Sequence, residues 1–347
     1  MWKLQNLNLF VDITTRCNVG CPMCHRTNTK GCGTADWLPN IDWSIEQFKQ
    51  AYPENVCKRA EIFNLCGTWG DPIINKDILK IVQYIRDTNM FSRIIINTNG
   101  SLRNEDFWWE LGKIGDKRLT VIFAVEGTTQ EMHERYRQKS FLNKVLNNML
   151  TLSYTNAKVE TQTILFKHNV DYIKDIEKLC KEHGSVMHNI IETNRYQYGT
   201  NRFDFINAKG KDDYLERPDD QSVTKLPKNY LNLDEHELSI ECSWAKKNKI
   251  VINPDGQVLP CCYLCNPYFE YQQSSNEIYG HFMRNELIKN YKEKEFNVFH
   301  NNLLDIIAQQ WFQKDLKESF TSEQPLSQCV KNCTKLSVSS KISRERL

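Results

Sequence analysis

No apolar run in the sequence approaches the ~20 residues needed to cross a bilayer, and no period of 20–50 residues recurs, which argues against a repeat array. The net charge is also small. With 45 basic and 43 acidic residues the formal net charge is +2, so no strong field draws in nucleic acid or an anionic membrane surface. The first ten residues lack the charged segment and long apolar stretch of a secretion signal, and the chain is expected to be cytoplasmic. At 347 residues, 40% hydrophobic and 25% charged, it has the composition of a globular protein with one large domain or two ordinary ones. Cysteine is plentiful, at thirteen. In a large chain with no export signal, clustered thiols read as metal ligands rather than disulfides.

Three of those thiols, Cys17, Cys21 and Cys24, crowd into eight residues directly after an apolar run over 7–13. Thiolates favour iron–sulfur clusters and zinc. A structural zinc site wants four closed ligands, whereas three cysteines leave one iron of a [4Fe–4S] cube open to a substrate or cosubstrate. A cluster of inert buried thiols, or a zinc knuckle borrowing His25, is the alternative.

The first two thirds of the chain alternates short β-rich runs with helical patterns. The runs 7–13, 61–66, 93–98, 119–125, 159–165 and 186–191 are rich in Ile, Val, Phe and Leu at strand length. Between them, 44–52, 76–88, 105–114, 129–137 with 144–154, and 171–183 carry apolar residues at three- and four-residue intervals. Asn104 and Ser44 stand where helix N-caps are expected. Repeated βα units force a parallel sheet with right-handed crossovers. The fold class is therefore α/β, and the cysteines fall just past the first strand, at the end where parallel barrels place their sites.

The spacing C-x3-C-x2-C resembles the signature of radical S-adenosylmethionine (SAM) enzymes. That resemblance implies a partial (β/α)6 barrel whose open iron chelates SAM, with reductive cleavage releasing a 5′-deoxyadenosyl radical. Met23 stands where many members carry an aromatic residue. Cys66-Gly67-Thr68-Trp69-Gly70-Asp71-Pro72 resembles the family's glycine–glycine–glutamate–proline motif for the SAM amino group, with Asp71 in place of glutamate; a βα turn needing glycine for geometry is the plainer reading. Thr98 and Asn99 match a Thr-Asn-Gly seen in relatives. Glu126 keeps a carboxylate where relatives show Ser-x-Asp-Gly, and Ala124 loses the hydroxyl. Arg137 is assigned to the SAM carboxylate, with an exposed helix arginine as the alternative, and Asn169 either to the ribose or to a helix cap. The implied cofactor-binding set is Gly67, Gly70, Asp71, Thr98, Asn99, Glu126, Arg137 and Asn169.

From 198 to 240 the pattern turns polar and reads as a linker or flap. Then Cys242, Cys261, Cys262 and Cys265 surround a hairpin signal at Pro254-Asp255-Gly256, and Cys329 and Cys333 form a close pair after an apolar helical stripe. This arrangement resembles the SPASM and Twitch extensions of radical SAM enzymes, which bind auxiliary [4Fe–4S] clusters. A complete two-cluster SPASM domain needs more cysteines than these six, so the resemblance implies one auxiliary cluster, as in the shorter Twitch type, on Cys242, Cys261, Cys329 and Cys333. Cys262 or Cys265 could replace one of these, and zinc would be satisfied by the same four thiolates. Cys32, Cys57, Cys66 and Cys180 read as buried apolar thiols.

The expected organisation is a radical SAM barrel over 1–197, a linker or flap over 198–240, a small cysteine-rich hairpin and helix domain over 241–334, and a tail over 335–347. The expected cofactors are two [4Fe–4S] clusters and SAM, reduced by an electron donor such as flavodoxin or ferredoxin. The function expected is hydrogen abstraction from a small molecule or nucleotide. A maturase acting on a ribosomal peptide is the alternative, opposed by the lack of a separate N-terminal recognition domain, and a non-enzymatic metal-bound scaffold comes last. No general base is singled out; Lys167, His168, Glu192 and Tyr196 are candidates.

Overall fold

The computed structural model describes residues 1–196, 200–219 and 239–335. The expected tail lies outside them, apart from Lys335, and so do 198–199 and 220–238 of the expected linker. Two compact units emerge. One comprises 11–49 and 61–219, and the other 1–10, 50–60 and the described part of 220–347.

The first unit is built on strands β2 (Ala60–Leu65), β3 (Arg93–Thr98), β4 (Leu119–Ala124), β5 (Lys158–Ile164) and β6 (Met187–Ile191). They pair in chain order and all in parallel. β1 (Leu7–Val11) joins at its end, where the Cys66 N–H donates to the Val11 carbonyl at 3.3 Å. Each crossover carries a helix, and each helix follows from its sequence. In the helix Ile78–Thr88, the residues Ile78, Ile81, Val82 and Ile85 are buried, the spacing of a single apolar stripe. The Asn104 side chain accepts from Phe107 N at 3.2 Å and caps Glu105–Gly115. Ser44 and Gln47 form a reciprocal capping box at 3.2 and 2.9 Å. Both expected N-caps are therefore present. The core between sheet and helices includes Phe63, Ile94, Ile96, Trp108 and Phe123, all fully buried.

Within the stretch expected as linker or flap, Arg202–Ile206 and Asp212–Glu216 form an antiparallel hairpin. Its Phe205 and Leu215 are buried in one cluster with Val19, Cys21, Met23, Cys32, Tyr136 and Phe166. The hairpin is thus packed on the cysteine loop, and Ile206 exchanges backbone bonds with Thr29 and Gly31 at 2.8 and 2.9 Å. The alternation in Arg202-Phe203-Asp204-Phe205-Ile206 was the available strand signal; the charged Lys209-Gly210-Lys211 turn between the strands masks it.

In the second unit, Lys249–Ile252 and Val258–Leu259 pair antiparallel around the Pro-Asp-Gly turn, as expected. Gly256 there has φ +84°, which glycine adopts without steric cost. The helix Cys262–Ser274 follows, then a set of short helices ending in Ser327–Cys333. Among the described residues no helix is long and apolar enough to cross a membrane.

Candidate active site

Cys17, Cys21 and Cys24 line one cleft at the C-terminal ends of the parallel strands, together with Gly67, Gly70, Asp71, Thr98, Asn99 and Arg137. The loop folds by local turns, with Cys24 N donating to Cys21 O at 3.0 Å and Thr27 N to Cys24 O at 2.9 Å. Gly20 is required here, because a β-carbon would stand 2.1 Å from the Cys32 carbonyl. Met23 is buried in the apolar cluster behind the loop.

The turn after β2 is shaped by a residue that the motif reading passed over. Asp12 is buried at the end of β1 and accepts from Thr68 N at 2.7 Å, Trp69 N at 3.3 Å and the Cys66 thiol at 3.4 Å. Burial pushes its carboxyl up to about 6, opposed by those hydrogen bonds. An acidic residue inside an apolar strand run was the signal for it. Cys66 is not a core thiol but lines the cleft, whereas Cys32, Cys57 and Cys180 are buried. Gly67 has φ +64°, and a β-carbon on Gly70 would stand 2.3 Å from the Thr14 carbonyl oxygen and 2.7 Å from that of Arg16.

Asp71 is buried and its carboxylate is fully engaged. It accepts from Thr98 Oγ1 at 2.9 and 3.0 Å, Asn99 N at 2.8 Å, Ile73 N at 3.1 Å and Asn99 Nδ2. Burial raises its carboxyl, and the bonds from Asn99 and Ile73 oppose the rise. Thr98 and Asn99 therefore hold Asp71 as much as they face the cleft. Asn99 Nδ2 also reaches Asn18 Oδ1 at 3.0 Å, and lies 3.8 Å from Cys17 Sγ.

Glu126 and Arg137 form a buried ion pair. Arg137 Nε and Nη2 donate to Glu126 Oε1 at 2.9 and 2.7 Å, and Ile164 N donates to Oε2 at 2.7 Å. That leaves Nη1, which points to Cys21 Sγ at 3.5 Å. Asn169 is fully buried and turned to the backbone: Oδ1 accepts from Phe166 N, and Nδ2 donates to Ile164 O and Glu126 O. It makes no side-chain cap to the following turn. Of the base candidates, Lys167 pairs with Asp219 at 3.0 Å. His168 stacks on Phe166 and its burial lowers it to about 4. Glu192 is exposed, and Tyr196 packs against the apolar cluster, pushed up to about 12 by burial. None of the four lines the cleft.

In the second unit, Cys261 is close enough to Cys262, Cys329 and Cys242 for their charges to act on it, and Cys329 likewise feels Cys333 and Cys242. Cys265 is elsewhere, fully buried with its thiol on Asn253 Oδ1 at 2.7 Å. A two-residue pairing of Ser239–Ile240 with Thr334–Lys335 ties the two ends of this region together.

Among the described residues no three His, Cys, Asp or Glu side chains close to a metal-coordination group. Burial pushes Cys17 up to about 12 and Cys21 to about 11, so both hold their protons until a metal displaces them. The donor set still fits a cluster with one open iron: three thiols on one cleft, with a guanidinium donating to one of them.

Residues 11–182 match the radical SAM superfamily model, and residues 242–334 match SPASM, an iron–sulfur cluster-binding domain. The AdoMet-dependent heme synthase of Methanosarcina barkeri is 24% identical over 52% of this chain, and the match spans only 48% of that relative's own length. GTP 3′,8-cyclase of Aquifex aeolicus is 24% identical over 74% of this chain and 81% of its own. Streptococcus suis SuiB bound to the precursor peptide SuiA superposes with a TM-score of 0.56 at 13% identity, covering 94% of this chain and 76% of SuiB. The mixed α/β fold with a largely parallel sheet is shared with SuiB. By sequence model and by fold, the chain belongs to the radical SAM superfamily and carries a C-terminal SPASM iron–sulfur domain.

Proposed function

We propose that the protein is a radical SAM enzyme that abstracts a hydrogen atom from a peptide or protein substrate. One observation carries the reading: Cys17, Cys21 and Cys24 open on the same cleft as the Gly67–Gly70 turn and the Thr98–Asn99 strand end. A [4Fe–4S] cluster bound there together with SAM would supply the 5′-deoxyadenosyl radical. The chain's own part is to orient and to exclude water. Cys17, Cys21 and Cys24 would hold the cluster, the turn at Gly67 and Gly70 would receive the methionyl end of SAM, and Arg137 Nη1 would stay available beside Cys21. Cys242, Cys261, Cys329 and Cys333 would hold one auxiliary cluster, as electron acceptor or substrate anchor, with Cys262 as the alternate thiol.

The preference for a peptide rests on the likeness to SuiB with its precursor peptide along nearly the whole chain. A nucleotide substrate is the second reading, favoured by the sequence likeness to a GTP 3′,8-cyclase. Anaerobic incubation with SAM and dithionite tests the common part, since absence of 5′-deoxyadenosine would refute it. Deuterium passing from a labelled peptide encoded beside the gene into 5′-deoxyadenosine would support the first reading. Stimulation of SAM cleavage by GTP alone would favour the second.

A further inference from the structure

Two guanidinium groups border the cysteine cleft, and their electrostatic situations differ. Arg137 is neutralised by Glu126 at 2.7 Å. Arg26 is only 4% exposed, yet it has no carboxylate partner among the described residues. Its Nη1 donates to the Val19 carbonyl at 3.2 Å and its Nη2 to Thr34 Oγ1 at 3.0 Å, both neutral. The buried Nε has no acceptor, and neither has the hydroxyl of Thr27 next to it, which also lines the cleft. Arginine cannot shed its proton to escape burial, and a buried cation without a counter-ion is expensive. The negative charge that balances it must therefore come from what the cleft holds. Arg26 lines that cleft beside Cys17, Cys21 and Cys24.

We propose that Arg26 is the counter-cation of the cluster on Cys17, Cys21 and Cys24, a positioning residue that eases one-electron reduction of that cluster. This rests on the reading of those three cysteines given above. A cube on three thiolates bears net negative charge, and that charge grows by one unit when the cluster accepts an electron from a donor of the flavodoxin class, or from dithionite in the assay. A fixed positive charge at the same site favours the more negative state. Net charge and hydrogen bonds to sulfur are the levers by which a protein sets a cluster's potential, and Arg26 supplies the charge together with a free N–H.

The test is redox titration of the full, anaerobically reconstituted chain, followed by electron paramagnetic resonance. The N-terminal cluster is identified as the signal that changes on adding SAM. Arg26→Gln should lower the ratio of reduced to oxidised N-terminal cluster at a fixed poise by about tenfold or more, with iron content kept, while Arg26→Lys stays near wild type. If Arg26→Gln does not fold, Arg26→Met removes the charge without leaving a stranded polar group. An unchanged ratio in a charge-removing variant that retains its iron overturns the proposal. So does a loss in Arg26→Lys as large as in Arg26→Gln, which would mean a hydrogen-bonding bracket rather than a charge. An unchanged ratio with weakened SAM binding, or with weakened substrate binding, would instead assign Arg26 to a carboxylate of that molecule. If the wild-type chain gives no SAM-responsive signal, the underlying cluster reading fails, and this inference falls with it.

Discussion

Glu126→Gln is the sharpest probe of how the cleft is held together. The Glu126 side chain is fully buried and that of Arg137 is 13% exposed, so neither charge can turn to water for compensation. Glu126 Oε1 takes two N–H groups of Arg137 and Oε2 takes Ile164 N. An amide in its place has one acceptor and one donor, so either orientation sets a donor against a donor. It also strips Arg137 of its counter-charge. Breaking one partner of a buried pair costs about 3–5 kcal/mol, a large share of a domain's net stability. Replacing both, as Glu126→Leu with Arg137→Met, removes the stranded charge and should recover most of that loss. Urea unfolding of the four corners of this double-mutant cycle measures the coupling. The reasoning is refuted if Glu126→Gln lies within ~1 kcal/mol of wild type, or if the double variant is no more stable than the worse single variant.

Three further outcomes are expected. The folded-state value for Asp12, about 6, lies above its ordinary 3.8; the folded chain binds more proton between the two, so this contribution is fully present below the lower value and is lost as pH rises through the upper one. The stability of wild type relative to Asp12→Asn should therefore fall by about 1 kcal/mol between roughly pH 5 and pH 7.5, and a flat difference in urea titrations at the two pH values would contradict the buried, elevated carboxyl. Gly70→Ala must push the turn off the Thr14 and Arg16 carbonyls, costing about 1–3 kcal/mol and weakening SAM binding in calorimetry; unchanged affinity would mean that the turn does not touch SAM. In iron analysis, Cys329→Ala with Cys333→Ala should lower a load of about eight irons to about four, whereas Cys265→Ala, removing a thiol bonded to Asn253, should leave it unchanged.

The strands and helices of the first unit were legible because each is long enough to show its period. Ile78, Ile81, Val82 and Ile85 declare a helix, and the Ile-rich run ending at Thr98 declares a strand. Motif spacing also gathered Cys17, Cys21, Cys24, Asp71, Thr98 and Arg137 around one cleft. What the sequence hid was the direction of side chains. By position Asn169 suits either a ribose contact or a helix cap, yet the chain reverses after β5 and that reversal uses the Asn169 amide to satisfy Phe166 N and Ile164 O. Cys66 has no partner at ligand spacing and so resembles a core thiol in the sequence, while its place at the end of a strand turns it to the cleft. Asp12 and Arg26 carry no motif. Asp12 shows in the sequence only as an acid inside an apolar run, and the burial of Arg26 without a matching charge appears only when the fold is known.

The shorter carboxylate at Asp71 has a structural consequence that bears on how SAM would be held. A glutamate could extend past the strand end towards an ammonium, but Asp71 stops where Thr98 Oγ1, Ile73 N and both nitrogens of Asn99 converge on it. Each of its oxygens already accepts at least two hydrogen bonds, and an ammonium would have to displace one or share an oxygen already in use. The Asp71 N–H is in turn donated to the Arg16 carbonyl at 2.8 Å, so the residue is fixed from both sides. Its work is therefore to lock the ends of β2 and β3 to each other and to the start of the cysteine loop. Backbone carbonyls of the Gly67–Gly70 turn, which lines the cleft, would then serve a methionyl ammonium, and the turn's shape depends on Gly67 at φ +64° and on the close approach of Gly70 to Thr14. On this view the carboxylate orients the turn, and backbone geometry rather than side-chain reach would set the affinity for SAM.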